Sequence, residues 1–409
     1  MTNHVRWTLN RFHSHINEES DLLPFAEQTI KSIHQFQQSH ASYSRTPLEA
    51  LPHLANHLGI SELYVKDESY RFGLNAFKVM GGIYAIGNYI ANHLSKDLSS
   101  LSFDELQSVT IREQLGELTF ISATDGNHGR GVAWTARELG HRSIIYLPKG
   151  ATQQRLEAIQ NEGAEAYITE MNYDDTVREC ARLAEENGWI LVQDTGWEGY
   201  EEIPLWIMQG YATIAYEIAL EQLQAPTHLI LQAGVGSFAA SIAATFLTMY
   251  PDNPPKIILV EPAAADCYFR SLTTHDGHIE HVTGDLATIM AGLSCGEPNT
   301  HAYKILKKAV SASFSCADSL AALGMRVLGN PLGDDKRVIS GESGAIPMGL
   351  LYYLRTTEEG KDICEALSIT NDARILFIST EGNTDATHYL DVVWKGYYSN
   401  LPSYSQIIK

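Results

Sequence analysis

The sequence predicts an α/β fold, and three observations carry that prediction. Short, continuous apolar runs recur along the chain, helical stretches separate them, and polar, glycine-rich turns follow several of them. A run that is apolar at every residue belongs to a strand buried on both faces, the mark of a parallel sheet. In such sheets ligands gather at the carboxyl ends of the strands.

In chain order, residues 1–45 read as an N-terminal extension with one helix near Asp21–Gln38. Its histidines, His4, His13, His15, His34 and His40, are expected to be solvated. Leu118–Ser122 is an apolar strand followed by a glycine turn and a helix. Arg142–Pro148 is the next, with a helix near Gln153–Glu162 behind it. Ala166–Thr169 and Trp189–Gln193 follow, then His228–Gln232, Lys256–Glu261 and Arg374–Ser379. Residues 90–204 hold a strand–helix set of their own. They are expected to form a smaller, mobile domain, with 1–89 and 205–409 as the large one.

The 409 residues are enough for a large core and two lobes. Against 29 basic residues stand 49 acidic ones, a formal charge of −20. That argues against nucleic acid and anionic membrane as partners, since both need a basic surface. Any anionic ligand must then be held by local groups. The cysteines, Cys180, Cys267, Cys295, Cys316 and Cys364, are widely spaced and lack metal-site spacing. No cluster of His, Asp and Glu has it either, so no metal is expected. Free thiols in a reducing cytosol are the expectation, with a Cys267–Cys295 bridge as the alternative. The first residues do not read as a signal peptide. No run of about 18 apolar residues is present to span a membrane.

The candidate chemistry begins in the run Lys66–Gly82. Lys78 is flanked there by Phe77, Val79 and Met80 and precedes Gly81 and Gly82. Burial among apolar groups pushes a lysine toward its neutral amine. A neutral amine can attack an aldehyde and form a Schiff base. The plainer alternative is a surface lysine at the start of a helix.

Further loops follow the apolar runs. In Gly234-Val235-Gly236-Ser237-Phe238 the glycines let amide N–H groups converge on an anion at a helix start, and Ser237 offers a hydroxyl donor. The same loop fits the G-x-G-x-x-A fingerprint of a dinucleotide fold, with Glu261 ending the next strand. In Ser122-Ala-Thr124-Asp125-Gly126-Asn127-His128, Asn127 is suited to hydrogen-bond a ligand oxygen. Asp125 reads either as a base or as the cap of the following helix. Asp194 sits at another strand end, where a solvated or capping aspartate is the plainer reading. Ile339–Ala345 and Phe377–Asn383 read as two more polar, glycine-rich strand ends. So many such loops in one α/β chain is what a shared crevice needs.

In this order the loops resemble those of the pyridoxal-phosphate β-family, fold type II, which includes serine and threonine dehydratases, serine racemase and cysteine synthase. Phe77-Lys78 resembles the family's Schiff-base lysine. Thr124–Gly129 looks like its asparagine loop, in which Asn127 would meet the cofactor's 3′-oxygen. Gly234–Phe238 resembles its phosphate-cradling loop. Thr380-Glu381-Gly382-Asn383 is similar to a late S-G-G-N stretch whose hydroxyl faces the pyridine nitrogen, a part open here to Thr380 or Ser379. The resemblance covers about residues 45–385. Within the family, the runs Lys66–Lys78, Ala123–Trp134 and Val192–Trp197 resemble the 2,3-diaminopropionate ammonia-lyases. Two departures from the wider family are Asp125, where many relatives carry serine, and Thr380-Glu381, where Ser-Gly is frequent.

The resemblance implies a fold type II enzyme. Two open, twisted, mostly parallel sheets are flanked by helices, in a large and a small domain with pyridoxal 5′-phosphate between them. It implies α,β-elimination of D- and L-2,3-diaminopropionate to pyruvate and two ammonia. Lys78 would carry the cofactor, Asp125 would take the α-proton of the D isomer and Asp194 that of the L isomer. The loop through Ser122, Thr124, Asp125 and Gly126 would meet the substrate carboxylate. A small amino acid is the implied partner, and a cytoplasmic homodimer the implied form. The nearest rival is another β-family lyase acting on serine, threonine or a cysteine precursor. A nicotinamide-dependent oxidoreductase using Gly234, Gly236 and Glu261 leaves Lys78 and Asn127 unexplained. A catalytically silent binding protein has no need of an intact Lys78.

Overall fold

The structure, a computed structural model, describes residues 4–14, 19–221 and 224–399. His15 and the end of the chain after Ser399 lie outside the described residues. In chain order the strands are β1 (Val5–Leu9), β2 (Leu48–Ala50), β3 (Glu62–Asp67), β4 (Thr119–Ala123), β5 (Arg142–Leu147), β6 (Glu165–Ile168), β7 (Ile190–Leu191), β8 (His228–Gln232), β9 (Lys256–Pro262), β10 (Val310–Cys316) and β11 (Arg374–Ser379). They form two sheets. The larger runs β1-β10-β9-β8-β11-β3-β2. Its five inner strands are parallel, and β1 and β2 close the two edges antiparallel. The smaller, β6-β5-β4-β7, is parallel throughout. The fold is therefore the two-sheet α/β architecture of fold type II, and every residue of β8, at the centre of the larger sheet, is buried.

The helix Val79–His93 packs against two others, Asn127–Glu138 and Glu202–Leu220. Glycines let them approach closely. A Cβ on Gly131 would come within 2.8 Å of the Val79 Cα, and one on Gly210 within 2.9 Å of the Gly81 Cα. Larger residues would push these helices apart just beside Lys78.

Several expectations are corrected. The N-terminal helix is broken: Glu19–Leu22, a 3-10 turn at Leu23–Phe25, then Glu27–Gln38. Pro24 is the cause, since it lacks the N–H that a helix interior needs. The extension also contributes a strand, β1, to the larger sheet. His34 and His40 are buried, at 7% and 6% exposure. The His34 Nδ1 lies 3.2 Å from the Tyr43 hydroxyl, and His40 packs among Phe72, Phe103 and Trp134. Ile339–Ala345 is not a strand end, because a helix, Glu342–Thr356, starts there. No helix among the described residues is long and apolar enough to cross a membrane.

Candidate active site

Lys78 lies at the end of the run that leaves β3, immediately before the helix Val79–His93. A buried ion network fixes that run. Arg71 donates to both Glu68 and Glu217, and Lys66 Nζ lies 2.5 Å from Glu217 Oε2. All four side chains are buried. Removing one partner of such a network costs about 3–5 kcal/mol, because a charge is left uncompensated. The segment carrying Lys78 is thus tied to the helix Glu202–Leu220 before any ligand arrives.

The Lys78 Nζ lies 2.6 Å from Asp194 Oδ2. This corrects the expectation of a neutral amine. Burial is the largest single influence and works against the ammonium, but Asp194, through its charge and hydrogen bond, together with Tyr211 and Asp125 raises the pKa of Lys78. Asp194 is 1% exposed. Burial opposes its charge too, yet Lys78 and His128 hold its pKa down at about 2. The Tyr173 hydroxyl donates to its other oxygen at 3.2 Å, and Gln193 Nε2 does so at 3.4 Å. Asp194 is therefore an anion held in one place.

Around this pair a cavity is lined by Phe77, Asn127, Gly234–Phe238, Gln232 and Thr380, among others. The glycine loop joins β8 to the helix Ser237–Met249, with Gly236 at φ 90°, a left-handed geometry that suits glycine. The Ser237 hydroxyl does not point its proton into the cavity. It donates to the Asp194 carbonyl at 2.5 Å, so this residue offers its backbone N–H instead. Three polar atoms of the cavity lining are buried with no partner: Tyr211 OH, Gln232 Oε1 and Ser343 Oγ. Buried polar groups are almost always paired, so three orphans on one cavity fit a polar ligand. A lysine for an aldehyde, an amide cradle at a helix N-terminus for a phosphate, and two unspent hydroxyls with an unspent amide oxygen together fit pyridoxal phosphate.

The Asn127 side chain donates to Glu381 Oε2 at 2.5 Å, and the Ser343 N–H donates to the other Glu381 oxygen. Thr380 lines the cavity, and its hydroxyl oxygen accepts from Gln232 Nε2 at 3.0 Å. Ser379 is turned away, with its hydroxyl 2.9 Å from that of Ser340. Of the two candidates, Thr380 is the one at the cavity.

Asp125 stands apart from this packing. It is half-buried and lines an adjoining cleft of about 880 Å³. The cleft and the cavity share the wall 291–294, and Asp125 Oδ2 lies 3.4 Å from where a Cβ on Gly292 would be. The other residues of its loop serve the fold with their side chains. The Ser122 hydroxyl donates to the Val192 carbonyl at 2.7 Å. The Thr124 Oγ1 accepts from the N–H groups of Gly126 and Gly129, both at 2.9 Å, and so caps the helix that Asp125 was suited to cap. Gly126, at φ 150°, is the turn itself.

Glu261 is fully buried and accepts from the N–H groups of Tyr268 and Phe269 at 2.8 and 2.7 Å. Committed to capping the helix Cys267–Thr273, it is not free to meet a dinucleotide. The five cysteines are buried free thiols. Among the described residues no group of three or more His, Cys, Asp or Glu is arranged to hold a metal.

Glu381, Ser343 and Gln232 line the cavity without having been singled out for a role, although Glu381 lies in a glycine-rich loop and Gln232 and Ser343 border two more, at the end of β8 and in the first turn of the helix Glu342–Thr356. Tyr211 and Tyr173 lie inside helices and carry no sequence signal.

Comparison with known proteins agrees with this site. A family model described as pyridoxal-phosphate dependent enzyme matches residues 41–368. The diaminopropionate ammonia-lyase of Escherichia coli (strain K12) is 50% identical over 383 residues, 92% of this chain and 94% of that protein. The enzyme of the same name from Salmonella typhimurium is 51% identical over 361 residues, 87% of this chain and 89% of its own. The crystal structure of the Escherichia coli enzyme in complex with D-serine superposes with a TM-score of 0.89 at 46% identity, covering 97% of this chain and 98% of that one.

Proposed function

This chain belongs to the family of pyridoxal-phosphate dependent enzymes, and from that premise we propose that it acts on 2,3-diaminopropionate, in either enantiomer, eliminating the β-amino group as ammonia and giving up the α-amino group as a second ammonia when water hydrolyses the released product. Pyruvate is the other product. The observation that carries this reading is the placing of Lys78 against the anionic Asp194, with Asp125 on the adjoining cleft. The 50% identity to diaminopropionate ammonia-lyase supports the choice of substrate.

Lys78 would hold the cofactor through Nζ, the amides of Gly234–Phe238 its phosphate, Asn127 its phenolic oxygen and Thr380 its ring nitrogen. Once bound, pyridoxal phosphate supplies an aldehyde for the substrate amine and an electron sink for the pair left by the α-proton. The residues supply the rest. Asp194 is an anion because Lys78 is its counter-ion. With cofactor and substrate bound, a neutral Nζ would no longer offset the Asp194 charge, and burial would then raise the proton affinity of the carboxylate. It becomes a competent base for the α-proton of the L isomer. Asp125 takes the α-proton of the D isomer from the cleft side. The backbone of the Ser122–Asn127 loop receives the substrate carboxylate. Segment 90–204 acts as the mobile smaller domain and keeps water from the reacting centre. The chain works as a homodimer in the cytoplasm.

The test is the absorption spectrum of the purified protein, then pyruvate release from D- and L-2,3-diaminopropionate beside D- and L-serine and threonine. A yellow protein fastest on both diaminopropionates is expected. Preference for serine or threonine would make it a dehydratase. A protein that stays colourless and inert with added pyridoxal phosphate would overturn the reading entirely.

A further inference from the structure

We propose that Tyr211 is a cofactor-binding residue whose hydroxyl donates a hydrogen bond to the phosphate of pyridoxal phosphate. The proposal rests on the cofactor reading above and adds a residue that no motif marks. Tyr211 sits in the middle of the helix Glu202–Leu220, is 1% exposed, and has a hydroxyl with no partner. A phenol so deep in the fold is expected to be paired, and this one lines the cavity.

The ring has little freedom to turn away. It packs on Phe77 with centroids 4.8 Å apart, and a Cβ on Gly81 would meet it at 2.7 Å. Two of the nearest polar groups already have other partners. Asp194 receives Lys78, Tyr173 and Gln193, and the Ser237 hydroxyl is given to the Asp194 carbonyl. Burial, the leading influence on the phenol, raises its pKa, so it remains a donor.

Position selects the phosphate over the substrate. Phe77 packs against Tyr211 on one side and against Phe238, with centroids 4.7 Å apart, on the other. Phe238 belongs to the glycine loop, at the start of a helix of 13 residues. Tyr211 thus shares an aromatic cluster with the anion cradle, and it does not line the cleft that holds Asp125. A phosphate held by amides at a helix N-terminus has oxygens to spare for a phenol.

The experiment compares full-length wild-type and Tyr211→Phe holoenzymes. Equilibrium dialysis gives the dissociation constant of pyridoxal phosphate, and thermal melting is followed with and without the cofactor. The variant is expected to bind the cofactor about 10- to 100-fold more weakly, the usual size for one hydrogen bond to a charged group. Its cofactor-free melting temperature should be unchanged or higher, because the deleted hydroxyl had no partner to lose. An unchanged dissociation constant overturns the proposal, and with a raised KM for diaminopropionate it assigns the hydroxyl to the substrate. A lower cofactor-free melting temperature also overturns it, since the hydroxyl would then serve the fold. A wild-type chain that binds no pyridoxal phosphate would instead remove the cofactor reading on which the assignment stands.

Discussion

Asp194 stands almost fully buried behind Lys78 with three side chains directed at its oxygens, whereas Asp125 is half-buried and makes no side-chain hydrogen bond or salt bridge among the described residues. The difference follows from where each leaves its sheet. Asp194 follows β7 and is packed beneath the helix that carries Tyr173 and beside the one that carries His128. Asp125 follows β4 and faces the large cleft. A base fixed by several ties is placed before the substrate arrives, and the ordering cost is met during folding. A base on an open wall is placed only when the ligand closes around it. On the proposed reading the two carboxylates perform the same proton transfer at different structural stakes, and substitutions can separate them.

The largest effect is expected from Lys78→Ala, which removes the group that both carboxylates serve. Activity on D- and L-diaminopropionate should fall together to background, and the protein should lose its yellow colour. Activity retained on either isomer would mean that Lys78 is not the cofactor's anchor.

Next comes Asp194→Asn. Turnover of the L isomer should fall by about 10²- to 10⁴-fold while much of the D activity remains. This variant should also be less stable without cofactor, by about 3 kcal/mol, because it strands the Lys78 ammonium in a buried site. The sign with pH follows from the lowered pKa of Asp194. Its contribution to stability is complete above the ordinary aspartate pKa of 3.8 and is lost as pH falls toward about 2. Acid titration of melting should therefore show a limb in wild-type that is missing from the variant. Asp125→Asn is the converse. D activity should drop by a similar factor with the L activity largely kept, while the melting temperature changes little, since no bond is broken. Equal losses on both enantiomers from either substitution would undo the two-base assignment.

The contrast also explains what the sequence could disclose. β8 and β11 are legible to the residue because each is a nearly unbroken apolar run buried on both sides. β10 escapes notice because Val310-Ser-Ala-Ser-Phe-Ser-Cys alternates apolar residues with serine, although all but Ser311 are buried. Lys78, Asn127 and the glycine loop stand in runs whose chemistry is local, and their spacing shows it. The ionised state of Lys78 does not, because its counter-ion lies 116 residues away in sequence. The half-buried setting of Asp125 is equally hidden, since a cleft is made by segments that meet only in three dimensions. Tyr211 is the extreme case, one of two phenols inside a helix that is apolar along most of its length.

The smallest expected effect concerns a third carboxylate, Glu342, which sharpens the contrast from the side of the cleft. Burial first, and repulsion from Glu381 next, push its pKa up to about 7, with Arg155 pulling the other way. Arg155 lines the same cleft as Asp125. His388 lies near as well, with Nε2 3.3 Å from Glu342 Oε1. Unlike the charge of Lys78 on Asp194, that of Arg155 does not offset burial and Glu381 here. The folded chain therefore holds this proton up to about pH 7, whereas the unfolded chain releases it near 4.5. Stability declines as pH rises through that window, and the full cost of the buried charge is present above it. Glu342→Gln removes the charge while keeping the shape. It should raise the melting temperature at pH 8 by a few degrees, corresponding to roughly 1–3 kcal/mol, and leave it nearly unchanged at about pH 4.5. A difference of the same size at both pH values would mean that packing, and not ionisation, separates the two proteins, and that Glu342 is held as firmly as Asp194.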